Sequence, residues 1–278
     1  MKEKIKRTGI ILKGFTMLIG IAMLLFILTF MGGCSMFDAG KTDEIQKNMT
    51  DYLKNTYGKD FVVGKPKISG NEFIGFSNYI ADAYPKDEPD LKFGVIWNKN
   101  KPDVFQDGYL GSKWSKQGTV EMEKKLKKVY GNDFLLKKYW ISYNDRRVKD
   151  LDYPEIIKKY ADKMEVKIYY FVFIDAKLDK KYEAERAYKI LKENLIDLKT
   201  MQYSFSVVYV LKEKRSALDK VYSKTKEGDY ERGTKALLET GIAKDSTGTY
   251  YSKALSEKYP EKYPEIKNAD DLMPVVSG

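Results

Sequence analysis

Between Glu165 and Ile174 the chain reads EVKIYYFVFI. Val166, Ile168, Tyr170, Val172 and Ile174 form one apolar face, and Tyr169, Phe171 and Phe173 thicken the other. A strand apolar on both sides belongs in the middle of a sheet covered on both faces. A helical stripe follows, because Ala184, Tyr188, Leu191, Leu195 and Leu198 recur at three- and four-residue spacing within a helix from Asp179 to Lys199. Tyr203 to Leu211 returns to two-residue alternation, with Tyr203, Phe205, Val207, Tyr209 and Leu211 opposite the small Ser204 and Ser206. Upstream, Phe134 to Tyr143 reads as a strand and Pro154 to Lys163 as a helix with proline in its first turn.

A second regularity spans the body. MTDYLKNTYGKDFVV, from Met49 to Val63, matches MEKKLKKVYGNDFLL, from Met122 to Leu136, at seven of fifteen positions. Leu53 and Tyr57 are four apart, as are Leu126 and Tyr130, so each pair shares a helix face. Gly58 and Gly131 suit the left-handed position that ends a helix, and β-forming residues follow both. The unit predicted is helix, glycine stop, strand, used twice. Asp60 and Asp133 recur with it, as turn residues or as equivalent ligands.

After the first copy, Asp60 to Ile68, Asn78 to Tyr84 and Leu91 to Trp97 read as strands separated by the turn-prone ISGNE and YPKDEPD. From Lys212 onward the strand signals fade, and Tyr230 to Thr240 and Tyr250 to Lys258 read as short helices. The fold class expected is α+β: two related helix-plus-sheet units, antiparallel or mixed, over 43–117 and 118–211, then a C-terminal helical segment over 212–278.

The first 42 residues follow another pattern. Lys2, Lys4, Lys6, Arg7 and Lys13 precede twenty uncharged residues, Gly14 to Gly33, and Cys34 stands at the border as the only cysteine. Met31-Gly32-Gly33-Cys34 resembles the lipobox of bacterial lipoproteins, although that family favours leucine where this chain has Met31. The resemblance covers residues 1 to about 36 and points to Gram-positive bacteria. It implies a signal peptide over 1–33, a diacylglyceryl group on the Cys34 thiol, and a tether over 34–42. Beyond the border, the body has the lysine- and tyrosine-rich look of such lipoproteins, which carries over no functional residue. An uncleaved transmembrane helix is the alternative, since about 20 residues suffice to span a bilayer. In both cases the basic cluster stays inside and the body lies outside the cytoplasm, at the cell membrane.

Charge and composition narrow the partners. Without the five basic and one acidic residues of the first 33, 45 Lys+Arg face 39 Asp+Glu, a net charge of +6. Such an excess suits anionic lipid head groups or acidic cell-wall polymers. It does not indicate nucleic acid, because the charges are interspersed and lysine predominates over arginine. The expected partners are the lipid bilayer, through the lipidated N-terminus, and an anionic wall polymer or a membrane protein.

The chain has no histidine, which removes the commonest general base and metal ligand. Ser223 to Lys226 fits S-x-x-K, yet neither SDN nor KTG follows. Asp82, Asp87 and Asp90 surround a turn and lack the D-x-D-x-D-G spacing of a calcium loop. GYLGSKW, from Gly108 to Trp114, lacks Walker spacing. Asn144 to Arg147 reads as an exposed turn with two adjacent arginines. Trp97, Tyr109, Trp114, Trp140 and Tyr143 are either core residues or a platform for sugar stacking. No catalytic, metal or cofactor-binding residue and no cofactor is expected, and Cys34 is the one site, for lipid attachment. The function expected is a non-enzymatic binding or scaffolding module. A solute-binding lipoprotein serving a transporter and a carboxylate-based wall hydrolase are the alternatives.

Overall fold

The computed structural model describes residues 39–71, 76–98, 100–143, 145–175, 178–222, 230–262 and 265–272. The fold is α+β, with helices and strands arranged around two sheets. The chain divides into two compact units, one comprising residues to Asp87 with Gly94–Asp107, the other Glu88–Phe93 with Gly108 onward. Cys34, the uncharged run Gly14 to Gly33, Asn144 and Ser223 to Lys226 lie outside the described residues. Among those described, no helix is long and apolar enough to cross a membrane.

In the first unit, helix α1 (Ala39–Tyr57) precedes strands β1 (Phe61–Val63), β2 (Lys67–Asn71), β3 (Phe76–Pro85), β4 (Phe93–Asn98) and β5 (Lys101–Asp107). The sheet order is β1-β3-β4-β5, and β2 joins β1 in pairing antiparallel with β3. The single strand expected over Asp60 to Ile68 is thus two, broken where the Gly64 amide donates to the Asp82 carbonyl (2.7 Å). Ile45, Met49 and Leu53 bury one stripe of α1, and Gln46 Nε2 donates to the Val63 carbonyl (2.6 Å). The Tyr52 and Tyr57 hydroxyls both donate to the buried Asp107 carboxylate, Tyr57 at 2.8 Å, while the Tyr52 ring stacks on Phe105. β5 carries Pro102, tolerable because it is an edge strand.

The second unit begins with helix α2 (Tyr109–Tyr130), then β6 (Phe134–Ser142), α3 (Tyr153–Tyr160), β7 (Glu165–Ile174), α4 (Lys180–Leu191), β8 (Gln202–Leu211), α5 (Arg215–Tyr222), α6 (Tyr230–Glu239), β9 (Ala243–Ser252) and α7 (Lys253–Lys258). The expected boundary between residues 117 and 118 falls inside α2. The units part instead between Asp107 and Gly108, because the whole helix packs beside the strand it leads into.

The second sheet runs β6-β7-β8-β9, with β7 and β8 parallel and both outer pairs antiparallel. β7 is therefore interior, as its doubly apolar pattern predicts. Tyr170 and Tyr209 belong to the face on which α2 and α4 pack, since Tyr130 of α2 meets Tyr170 and the Tyr209 hydroxyl reaches the Glu183 carbonyl of α4. Tyr169, Phe171, Phe173, Val208 and Val210 fill the opposite face beneath Leu218 of α5 and Leu237 of α6. The segment from Lys212 onward forms helices α5 to α7 but also contains a strand, β9, so the helix expected over Tyr250 to Lys258 starts only at Lys253. Ten residues of β8 backbone seek a partner, and that pairing outweighs weak local preference.

Both copies of the repeat form as helix, stop, strand. The amides of Gly58 (φ 70°) and Gly131 (φ 64°) donate to the Lys54 and Lys127 carbonyls, at 2.8 and 2.9 Å. Met49, Leu53, Met122 and Leu126 are all buried.

Candidate binding site

A cavity of about 650 Å³ opens in the second unit at the start of β8. Its aromatic wall is a cross-strand pair: Tyr203 of β8 and Tyr251 of β9 are register partners with ring centroids 5.2 Å apart and planes at 24°. Directly opposed side chains in an antiparallel pair are close enough to stack. Burial, then Tyr251 and Glu265, raise the Tyr203 phenol; burial, then Glu265, raise Tyr251. Both remain O–H donors at physiological pH.

The crossover from α4 to β8 supplies a second wall, and its backbone is irregular. Asp179 caps α4 by accepting from the Tyr182 amide (3.1 Å), and the helix then widens into a π-helical turn, Lys192–Ile196. There the Asp197 amide reaches back five residues to the Lys192 carbonyl (2.9 Å). π-helical turns occur often at functional sites. Lys199 follows with φ 54°, the left-handed region that non-glycine residues seldom adopt. The next side chain, Thr200, is 2% exposed, and its Oγ1 has no hydrogen-bond partner among the described residues. A buried hydroxyl left unpaired costs about 1–3 kcal/mol.

The third wall is the segment around Ile266. Asp271 accepts from the Lys267 and Asn268 amides (2.8 and 3.1 Å), and the Thr247 hydroxyl of β9 donates to the Leu272 carbonyl (2.7 Å). Tyr188 of α4 donates to the Lys267 carbonyl (2.6 Å), tying this segment to the crossover. Lys199, Lys253, Lys267, Asp162 and Glu265 complete the lining, and none forms an ion pair among the described residues.

The residues singled out by sequence do not form one exposed site. Trp114 is fully buried and donates Nε1 to the Leu151 carbonyl (2.9 Å), and Tyr109 is buried against Phe93. Trp140 lies beneath the Lys138 and Lys167 ammonium groups, Tyr143 stacks on Tyr160, and Trp97 packs on Tyr79 in the first unit. The stacking platform is therefore corrected: the Trp114 and Tyr143 rings do meet, with centroids 6.0 Å apart, but Trp114 is wholly buried, so the contact is packing and not an open face.

Asp60 pairs with Lys54 (2.9 Å), which lowers its carboxyl, and Asp133 pairs with Lys212 (3.0 Å), so both are ion-paired turn residues. Asp82, Asp87 and Asp90 are exposed, with Asp87 paired to Lys59. Arg147 grips Asp145 through its guanidinium, bringing that carboxyl down to about 2. Among the described residues no group of three or more acidic or sulfur ligands could hold a metal ion.

Nothing in the sequence singles out Thr200 or Tyr251. Tyr188 and Leu195 are visible there only as members of an apolar stripe. Asn194, a polar residue beside that stripe, is 2% exposed but serves packing against α2: it accepts from Lys125 Nζ and donates to the Ile190 carbonyl.

No family model and no curated protein matches the chain. Among solved structures, it is similar to a DUF5037 family protein from Ruminococcus gnavus ATCC 29149, at 18% identity and a TM-score of 0.39. That match covers 75% of this chain and 91% of the other.

Proposed function

We propose that this protein is an extracytoplasmic lipoprotein, tethered through Cys34, whose body is a non-enzymatic binding module at the membrane and cell-wall interface. The observation that carries the binding role is the cavity beside the Tyr203–Tyr251 pair, whose lining joins aromatic and apolar side chains to lysines and carboxylates. Pockets that fix a ligand combine aromatic and apolar walls with a few placed polar groups. The tether is supported by the Lys/Arg cluster, the twenty uncharged residues and Gly32-Gly33-Cys34. One acyl chain holds a protein to a bilayer only marginally, and two or more hold it stably.

Fatty-acid labelling of the wild type beside Cys34→Ala tests the tether. The wild type takes up label and stays with membranes, whereas Cys34→Ala takes up none and its body is no longer acyl-anchored. An unlabelled wild type that stays in the membrane overturns the tether in favour of a membrane-spanning helix.

A further inference from the structure

We propose that the exposed edge of β6 takes an extended acidic peptide, which adds to the second sheet as a further strand. This surface shares no lining residue with the cavity at the start of β8, and the inference goes beyond both that cavity and the tether. β6 is an outer strand of the order β6-β7-β8-β9, and an uncovered outer strand is a template for another chain. Proteins commonly guard such edges, and β6 is guarded at two places. The Ile141 amide donates to Ser115 Oγ of α2 (2.8 Å), and the register with β7 shifts between Leu136 and Lys138, a bulge that interrupts regular pairing. Phe134–Leu136 lies before both guards.

There the backbone faces outward. The Phe173 amide of β7 donates to the Asp133 carbonyl (2.8 Å), so Asp133 turns its carbonyl toward β7. Alternate residues of a strand turn theirs the other way, and Phe134 and Leu136 therefore direct N–H and C=O away from the sheet. A groove of about 540 Å³, within the range of ligand clefts, follows this stretch. Val120 of α2, 50% exposed, lines it with Phe134 and Leu136. Arg215 of α5 reaches it from the other face of the sheet, where its guanidinium lies 4.3 Å from the centre of the Phe173 ring. An extended peptide lodged there pairs its backbone with β6 and sets alternate side chains toward the two flanks.

Charge selects the peptide. Lys124, Lys127 and Arg215 line the groove against Glu123. Glu121 engages Lys124 (2.7 Å), whereas Lys127 and Arg215 have no ion pair among the described residues. The excess is basic, which favours a carboxylate-bearing segment. The same cations disfavour a second copy of this chain, since pairing two β6 edges brings them face to face.

The test is fluorescence anisotropy of the full chain in detergent micelles with a labelled, end-capped hexapeptide of alternating glutamate and valine. At low salt it binds about fivefold or more tighter than the matching lysine–valine hexapeptide. Two N-methylated forms, one blocking the glutamate amides and one the valine amides, separate strand pairing from mere charge attraction. The form blocked on the edge that meets β6 loses about tenfold or more, as the removal of backbone hydrogen bonds requires, and the other form binds as the parent does. With the parent peptide bound, the Phe134 and Leu136 amides exchange more slowly with solvent deuterium. Val120→Glu sets a carboxylate in the groove from an exposed helix position; it weakens binding severalfold and leaves the melting temperature unchanged.

The proposal is overturned if the acidic hexapeptide does not bind, if the lysine peptide binds as tightly, if neither methylated form loses affinity, or if the Phe134 and Leu136 amides exchange as in the free protein. Self-association of the chain that Val120→Glu abolishes assigns the groove to a second copy and overturns it equally.

Discussion

The Arg186 guanidinium lies 2.8 Å from the Glu183 carboxylate one turn earlier on α4, and 4.0 Å from the centre of the Tyr130 ring on α2. Glu183 is 5% exposed, and its Oε2 is buried without a hydrogen-bond partner among the described residues. Removing one member of a buried pair strands the other, so Arg186→Met destabilises the second unit by about 3 kcal/mol. Replacing both residues by apolar ones recovers most of that loss. Urea denaturation of the two single variants and the double variant closes the cycle.

The same carboxylate makes stability depend on pH. Burial raises the Glu183 carboxyl, against the opposing pull of Arg186. A group raised by folding contributes stability that is complete below its unfolded value, roughly 4.3, and that is lost as pH rises through the folded value. Relative to the wild type, Glu183→Gln therefore gains stability as pH climbs from about 4 toward neutrality. Urea midpoints measured across that interval check the sign.

Gly118 is the point of closest approach between α2 and two tyrosines. A Cβ there would fall 2.3 Å from Tyr139 Cε1 and 2.7 Å from Tyr153 Cε2, on rings whose hydroxyls are hydrogen-bonded at 2.7 Å. Alanine is the better helix former by about 1 kcal/mol, yet overpacking removes about 1–3 kcal/mol. Gly118→Ala therefore lowers the melting temperature by several degrees, at about 2–4 °C per kcal/mol for a chain of this size.

Gly58 and Gly131 carry no steric crowding, only positive φ. Alanine at either position loses about 1 kcal/mol or more to the positive φ; at Gly131, where ψ is −120°, asparagine fares no better, because that backbone lies outside the left-handed well it tolerates. Thermal melts of Gly58→Ala and Gly131→Ala both shift downward, as the positive φ at each requires.

Trp114 behaves as core. In the variant with Trp97→Phe and Trp140→Phe, Trp114 emission is blue-shifted and resists acrylamide quenching. Emission spectra with and without acrylamide check both points.

Much of the second sheet was legible from sequence because its strands are long and doubly apolar. Glu165–Ile174 forms as read, with Tyr170 and Phe171 on opposite covered faces. β9 was not legible, since AKDSTGTYYS has Thr, Tyr and Ser in place of an apolar stripe and owes its conformation to the backbone of β8. β5 was hidden by Pro102 for the same reason: edge strands draw their order from a neighbour. The candidate site was the least legible part. It assembles Tyr188, Thr200, Tyr203, Tyr251 and Ile266 from segments far apart in the chain, and only the register of β8 with β9 brings the two stacked rings together.

β9 has a further consequence for how the molecule is made. A nascent chain halted before Ala243 holds β8 with one flank bare, a row of amides and carbonyls that any neighbouring extended peptide can zip onto. Until Ser252 has emerged, the second unit is thus sticky, and a holding chaperone would recognise it by that naked flank. Once β9 docks, the seam is sealed and the ligand chamber acquires its far side in the same stroke.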